Sequence, residues 1–233
     1  MSVPVRFAIC LALLMPAALY AEPLHVQLPA HRVLSSSETE SFEPALIEQL
    51  ADSLGRPALS AVLVTDADVR MVAGDQPGAA VYYRAAPAAL TATEGGALAW
   101  SDLQSQTVCV SNASPYLLML SQRFAAVPRE YPSTAHALIG LKLGECRAVV
   151  DDDMLLTEIA TLPEWRRFRH LLPPLSDAGR QLSLSADDAS LQQRINAVLA
   201  RWSEQGRLVE LTRQWVDEVA FQAYVLADTL DCH

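Results

Sequence analysis

Lysine is nearly missing from this chain: Lys142 is the only one in 233 residues, and the remaining cationic charge is arginine. Acidic residues outnumber basic ones, 27 to 17, for a formal charge of −10. That balance excludes the phosphate-covering surface nucleic acid requires, and over the whole chain it opposes an anionic membrane surface. No long apolar run occurs after the first two dozen residues, so nothing beyond them reads as a membrane-spanning helix. Catalytic signatures are also lacking: there is no G-x-S-x-G, H-E-x-x-H, phosphate loop or dinucleotide fingerprint. The histidines, His25, His31, His136, His170 and His233, are scattered, and no motif assembles a nucleophile with its base. Neither an internal repeat nor a low-complexity tract is present. The expectation is a non-enzymatic protein without a cofactor.

What is there begins with a leader. "MSVPVRFAICLALLMPAALYAEPL" carries one cation, Arg6, an apolar segment from Phe7 to Leu19, and small residues at Ala17, Ala18 and Ala21. This is the layout of a secretory signal peptide cut after Ala21, which places the protein in the periplasm. Cys10 lies inside the apolar run, in a context unlike a lipidation signal. Cleavage leaves Cys109, Cys146 and Cys232, an odd number in a compartment that permits disulfides.

Along the mature chain, "LHVQLPAH" (24–31) alternates as a strand does. In "SSSETESFEPALIEQLADSLGRP", Phe42, Leu46, Ile47, Leu50 and Leu54 fall at helical spacing, and Gly55 and Pro57 stop the helix. "ALSAVLVT" (58–65) is a second strand. "DADVRMVAGDQPG" reads as a short helix closing at Gly74, and 79–93 as extended chain broken near Pro87. "WSDL" is a turn of helix, "TVCV" a strand, "SNASP" a polar turn, and an apolar helix follows from Tyr116. Ser133 caps a helix whose apolar side is Ala137, Leu138, Leu141 and Leu143. "CRAVV" is the next strand and "MLLTEIATL" the next helix. Near the end, Leu191, Ile195, Val198, Leu199 and Trp202 form one stripe, Gly206 ends it, and Leu208, Leu211 and Trp215 begin another. Strands alternating with helices give an α/β fold with parallel strands.

In such sheets ligands bind beyond the carboxyl ends of the strands. Two ends face one crevice in this reading: Ser111-Asn112-Ala113-Ser114 after "TVCV", and Asp151-Asp152-Asp153 after "CRAVV". Neighbouring strands also bring Cys109 near Cys146, provided their Cα atoms lie within about 7 Å. The aspartate run has three readings: a cap for the following helix, a hard-cation site, or a carboxylate holding a ligand amine. Ser114 and Asn112 belong to a turn that offers hydroxyl and N–H groups to an anion, although Ser114 as a plain helix cap is equally consistent. Arg84 either faces the crevice and grips a carboxylate or is solvated. Tyr82, Tyr83 and Tyr116 read as packing residues.

Three segments, in order, resemble the periplasmic solute-binding proteins of family 3, the amino-acid receptors of ABC transporters: "WSDLQSQTVCVSNASPY", "ALIGLKLGECRAVVDDDMLL" and "LSADDASLQQRINAVLARWSEQGRLVELTRQW". The resemblance implies an α/β, two-lobe periplasmic binding protein type 2 fold. Each lobe would be a mainly parallel sheet flanked by helices, with the ligand cleft between lobes. It places 22–99 and 176–233 in lobe one and 100–175 in lobe two. Carried over, Ser114 matches the hydroxyl that contacts a ligand carboxylate and Asp152 the carboxylate that holds the α-amino group, with Asp151 beside it. The family's Thr-x-x-Arg element has no counterpart in the short stretch 66–99, Arg147 stands where aspartate is common, and Ala113 replaces a turn glycine. The implied function is a monomeric exported receptor for a small polar ligand, an amino acid or amine, working with an ABC permease. The alternatives are a non-transport accessory or sensory binding module, and a family-derived periplasmic dehydratase.

Overall fold

The computed structural model describes residues 22–29 and 42–230. The leader, Cys10, His31, Cys232 and His233 lie outside the described residues. Two five-stranded sheets organise the rest. In the first, β1 (Leu24–Gln27), β2 (Ala58–Ala61), β3 (Val69–Ala73), β4 (Ala80–Ala85) and the late strand β10 (Arg180–Ala186) take the order β2-β1-β3-β10-β4. In the second, β5 (Pro87–Thr91), β6 (Thr107–Ser111), β7 (Val127–Tyr131), β8 (Ala148–Asp152) and β9 (His170–Leu172) take the order β7-β6-β8-β5-β9. The two orders are copies of one plan. In each, parallel pairing holds one side, and one strand, β10 or β5, runs against both of its neighbours. Those two reversed strands are the ones that arrive from the other sheet.

The stretch 66–78 was expected to hold a helix; it holds β3 instead. Val69 and Met71 are buried while Arg70 and Val72 are only half-buried, a period of two that fits a strand. The extended chain before and after Pro87 serves two sheets: β4 pairs with β10, and β5 pairs with β8 and β9. The passage between sheets is therefore at Ala86, because Pro87–Thr91 finds its hydrogen-bond partners in the second sheet.

Six α-helices cover the sheets: α1 (Phe42–Leu54), α2 (Leu117–Phe124), α3 (Thr134–Lys142), α4 (Asp153–Thr161), α5 (Ala189–Glu204) and α6 (Arg207–Leu230). α1 buries Phe42, Leu46, Ile47, Leu50 and Leu54, the stripe read from the sequence. α5 buries Leu191, Ile195, Val198, Leu199 and Trp202, each contributing roughly 1.5–3 kcal/mol of hydrophobic stabilisation. Its N-cap is Asp188, whose carboxylate accepts the Leu191 N–H. α6 is unusual in its reach, packing on α1 and α5 of the first sheet and also on α3 and α4 of the second.

Cys109 and Cys146 form a disulfide, with Cα atoms 5.6 Å apart. The bond sits under α3, where Gly140 leaves no room for a side chain: a Cβ there would lie 2.6 Å from Tyr131 Oη and 2.9 Å from Cys109 Sγ. Gly140→Ala is expected to lower the unfolding free energy by about 1–3 kcal/mol through overpacking. Urea unfolding at unchanged slope would check this.

Candidate functional site

β8 positions the three aspartates by parity. Strand residues alternate faces, and all of β8 is buried. Val149 lies on the face of Cys109 and α3, so Asp151 points there as well. Its carboxylate accepts the Thr134 hydroxyl at 2.7 Å and the Asp152 N–H at 2.8 Å. Ala148 and Val150 pack in the other cluster, with Val108, Val110, Tyr116 and Leu120, and Asp152 shares that side. Asp153 opens α4: its carboxylate accepts the Ala86 and Met154 N–H groups, both at 3.0 Å, while its own N–H donates to Ala86 O at 2.8 Å. Asp153 thus meets one N–H at the start of α4, whose N-cap residue Asp152 makes no side-chain cap bond, and ties the inter-sheet passage to α4. Adjacent like charges are tolerated because each carboxylate turns to different donors.

Asp152 is the centre of the site. Its side chain is 0% exposed and is met from both sheets. One oxygen, Oδ2, accepts the Tyr83 hydroxyl at 2.8 Å and Arg180 Nη2 at 2.6 Å. The other accepts the Tyr116 hydroxyl at 2.5 Å and Arg180 Nε at 3.1 Å. Four donors use about as many lone-pair sites as a carboxylate has. Arg180, 12% exposed, heads β10 and is flanked by the Tyr83 and Tyr116 rings, 5.8 and 5.9 Å from its guanidinium carbon, a cation–π arrangement. Tyr83 and Arg180 belong to the first sheet, and Asp152 and Tyr116 to the second body. The four side chains close the space between them.

Burial, reinforced by the Asp152 charge, raises the pKa of the Tyr116 hydroxyl well above the ordinary tyrosine value. The folded protein therefore keeps the Tyr116 proton where the unfolded chain, titrating near 10, gives it up. Its contribution to stability is complete below about pH 10 and declines above it, by about 1.4 kcal/mol per pH unit. Unfolding free energies measured at pH 9 and 11 should show this slope, and Tyr116→Phe should flatten it by about that amount.

Ser114 is buried, and its hydroxyl oxygen accepts the Tyr116 N–H at 3.3 Å. It does not cap α2, which starts at Leu117; it fixes the turn that delivers Tyr116 to Asp152. Ala113 adopts a left-handed conformation, φ +54°, costing about 1–2 kcal/mol for a residue with a Cβ, which is why glycine suits that position. The Ala113 N–H donates to Glu130 at 3.4 Å. Asn112 is exposed, its N–H donating to Tyr131 O. Arg84 is exposed on β4 and is not among the groups around Asp152. The structure thus gathers Asp152 and the Ser114 turn, and leaves Arg84 and Asn112 outward. Among the described residues, no group of three or more His, Cys, Asp or Glu side chains is arranged to hold a metal ion.

The sequence reading missed Arg180 and took Tyr83 and Tyr116 for packing. Both rings are buried, so that reading was incomplete rather than false, but their hydroxyls converge on Asp152. One signal could have found Arg180: it starts the alternating stretch "RQLSLSA" directly after Gly179, where a strand returning to the first sheet must pass the crevice.

Two α/β sheets of matching plan, linked by reversed strands and meeting at a shared polar cluster, define the two-lobed periplasmic binding protein fold of type 2. Solved structures of that fold superpose on the chain. The substrate-binding protein of an amino acid ABC transporter matches with TM-score 0.57 at 14% identity, over 84% of this chain and 98% of its own. An ancestral cationic amino acid solute-binding protein gives TM-score 0.60 at 15% identity, over 84% and 95%. The arginine-, lysine-, histidine-binding protein ArtJ of Geobacillus stearothermophilus gives 0.57 at 13% identity, over 84% and 94%. No family model and no curated protein sequence matches the chain. No helix among the described residues is long and apolar enough to cross a membrane.

Proposed function

We propose that the chain is an exported solute-binding protein that captures a small zwitterion between its lobes and serves an ABC permease. We assign β1–β4 and β10 with α1, α5 and α6 to lobe one, and β5–β9 with α2, α3 and α4 to lobe two. The observation that carries the reading is the buried Asp152–Arg180 pair, one partner from each lobe. A zwitterion entering here separates the pair and repairs both halves, its ammonium taking Asp152 and its carboxylate taking Arg180. A plain amine would take Asp152 from the guanidinium without replacing it, and a plain acid would take Arg180 from the carboxylate without replacing it. An uncompensated buried charge costs about 3–5 kcal/mol, which is at least a hundred-fold in affinity. Arg180 thereby takes the part of the arginine in the Thr-x-x-Arg element that the stretch 66–99 lacks.

Calorimetry with amino acids, and with analogues missing either charge, tests this. A zwitterion should bind at least a hundred-fold more tightly than its amine or acid analogue, and Arg180→Gln should erase the preference for the carboxylate. An amine binding as well as the amino acid would defeat the reading. A second reading, a non-transport accessory or sensory module, is favoured by the same pair, which together with α6 holds the lobes in contact before any solute arrives. Small-angle scattering distinguishes the two: a receptor changes its envelope when solute is added, and a constitutively closed module does not. For the dehydratase alternative we identify no general acid, since Asp152 is committed to its cation.

A further inference from the structure

At the end of the second sheet opposite Asp152, exposed arginines gather on one loop. β8 runs from Ala148 to Asp152 and is antiparallel to β5, so Thr91, Ala148 and Thr107 mark the far pole. The loop before β9, residues 166–169, is fixed there: the Thr93 N–H donates to Arg167 O at 2.8 Å, the Thr93 hydroxyl donates to Arg166 O, and the Arg169 N–H donates to Thr93 Oγ1. Arg166, Arg167 and Arg169 are all exposed, and none has a carboxylate at ion-pair distance among the described residues.

Three hollows of about 400, 820 and 560 Å³ meet at Phe168, and Lys142, Arg147, Arg166, Arg167 and Arg169 are spread along their walls. Lys142 leans over the Trp165 ring at 4.0 Å. The acids at this pole are Glu94, Glu164, Glu145 and, near Arg147, Asp102. Of these, Glu145 is already engaged by Arg129 and by the Tyr131 hydroxyl, and Asp102 accepts the Leu98 and Ala99 N–H groups. Two apolar side chains of the segments that reach this pole are exposed, Leu143 at 56% and Val127 at 53%. Val127 adjoins Thr107 in the first hollow and Leu143 follows Lys142.

Self-repulsion within an acidic chain is no reason to collect its arginines, unpaired, at one pole. Arginine forks match phosphate oxygens bidentately, and cations next to protruding apolar groups suit the headgroup zone of a bilayer, where each basic residue adds about five-fold to binding. We propose that this pole of lobe two docks on the phosphate headgroups of an anionic phospholipid surface, holding the protein by the end away from its cleft. The whole-chain charge repels such a surface, so docking is local and oriented.

Co-sedimentation with vesicles of phosphatidylglycerol and phosphatidylcholine, against phosphatidylcholine alone, tests this on the full protein and on the triple variant Arg166→Gln, Arg167→Gln, Arg169→Gln with the same N-terminus. Partition onto the anionic vesicles should exceed that onto neutral ones, weaken at least ten-fold between 50 and 300 mM salt, and fall about a hundred-fold in the triple variant. Equal partition onto both vesicle types, or a triple variant that partitions as the parent does, would overturn the proposal. So would capture of the protein by an acidic polypeptide under conditions where anionic vesicles do not bind it. Matching circular dichroism melts show that the variant is folded, and the salt dependence of the parent protein stands even if it is not.

Discussion

Asp152→Ala should be among the most destabilising single changes in the protein, lowering the unfolding free energy by about 3–5 kcal/mol. The substitution removes the acceptor of four hydrogen bonds from Tyr83, Tyr116 and Arg180. It takes Asp152 away from a guanidinium that is 12% exposed and from two buried hydroxyls. Most of the loss is the weakened compensation of that buried cation, and a second substitution can therefore recover part of it. Arg180→Met in the Asp152→Ala background should regain stability relative to Asp152→Ala alone, because a buried charge that has lost Asp152 is exchanged for an apolar side chain. A double-mutant cycle by urea unfolding measures that coupling. Simple additivity would mean that the pair is not a unit. Since the partners come from different sheets, Asp152→Ala should also enlarge the scattering radius of the solute-free protein.

The next largest expected effect is loss of the disulfide. Cys109 and Cys146 are separated by 37 residues, and the chain-entropy relation for a loop of that length gives about 4 kcal/mol. Cys109→Ser should cost at least that much, because Cys109 is fully buried beneath α3 and a hydroxyl there would need a new partner. Cys146→Ser, nearer the surface, should cost close to the loop value alone. Reduction of the parent protein followed by urea unfolding should reproduce the Cys146→Ser midpoint. A reduced protein as stable as the oxidised one would remove the disulfide from the forces that hold lobe two together.

Particular residues explain what could be read in advance. α1 and α5 were legible because their apolar residues repeat over several turns, and a long repeat has one geometric solution. The β6-turn-α2 and β8-α4 units were legible because a short β-branched run ending in polar residues and followed by a helix is an α/β signature. β3 was not: only Val69 and Met71 carry its alternation, and Gly74 ends a short helix as readily as a strand. β7 gave no apolar pattern, since it is an edge strand with Val127, Arg129 and Glu130 exposed. Its stability comes from pairing with β6, which no local window contains.

The same logic applies to the cluster of the cleft. Asp152 could be singled out from its place at a strand end. Its partners stand 69, 36 and 28 residues away in the chain, and only the return of β10 into the first sheet brings Arg180 to it. Tyr82 and Tyr83 are both buried although adjacent in a strand, so both faces of β4 are covered at these two residues and parity alone could not tell which hydroxyl meets the carboxylate.

α6 grips helices belonging to both sheets. A molecule strapped in this way cannot open as a pair of jaws swinging freely on two chain crossings. Either the halves pivot about this long rod as about an axle, sliding α3 along it, or the rod itself must peel from one half. Each route makes this helix, rather than the linkers alone, the element that would govern how wide and how fast the two sheets part.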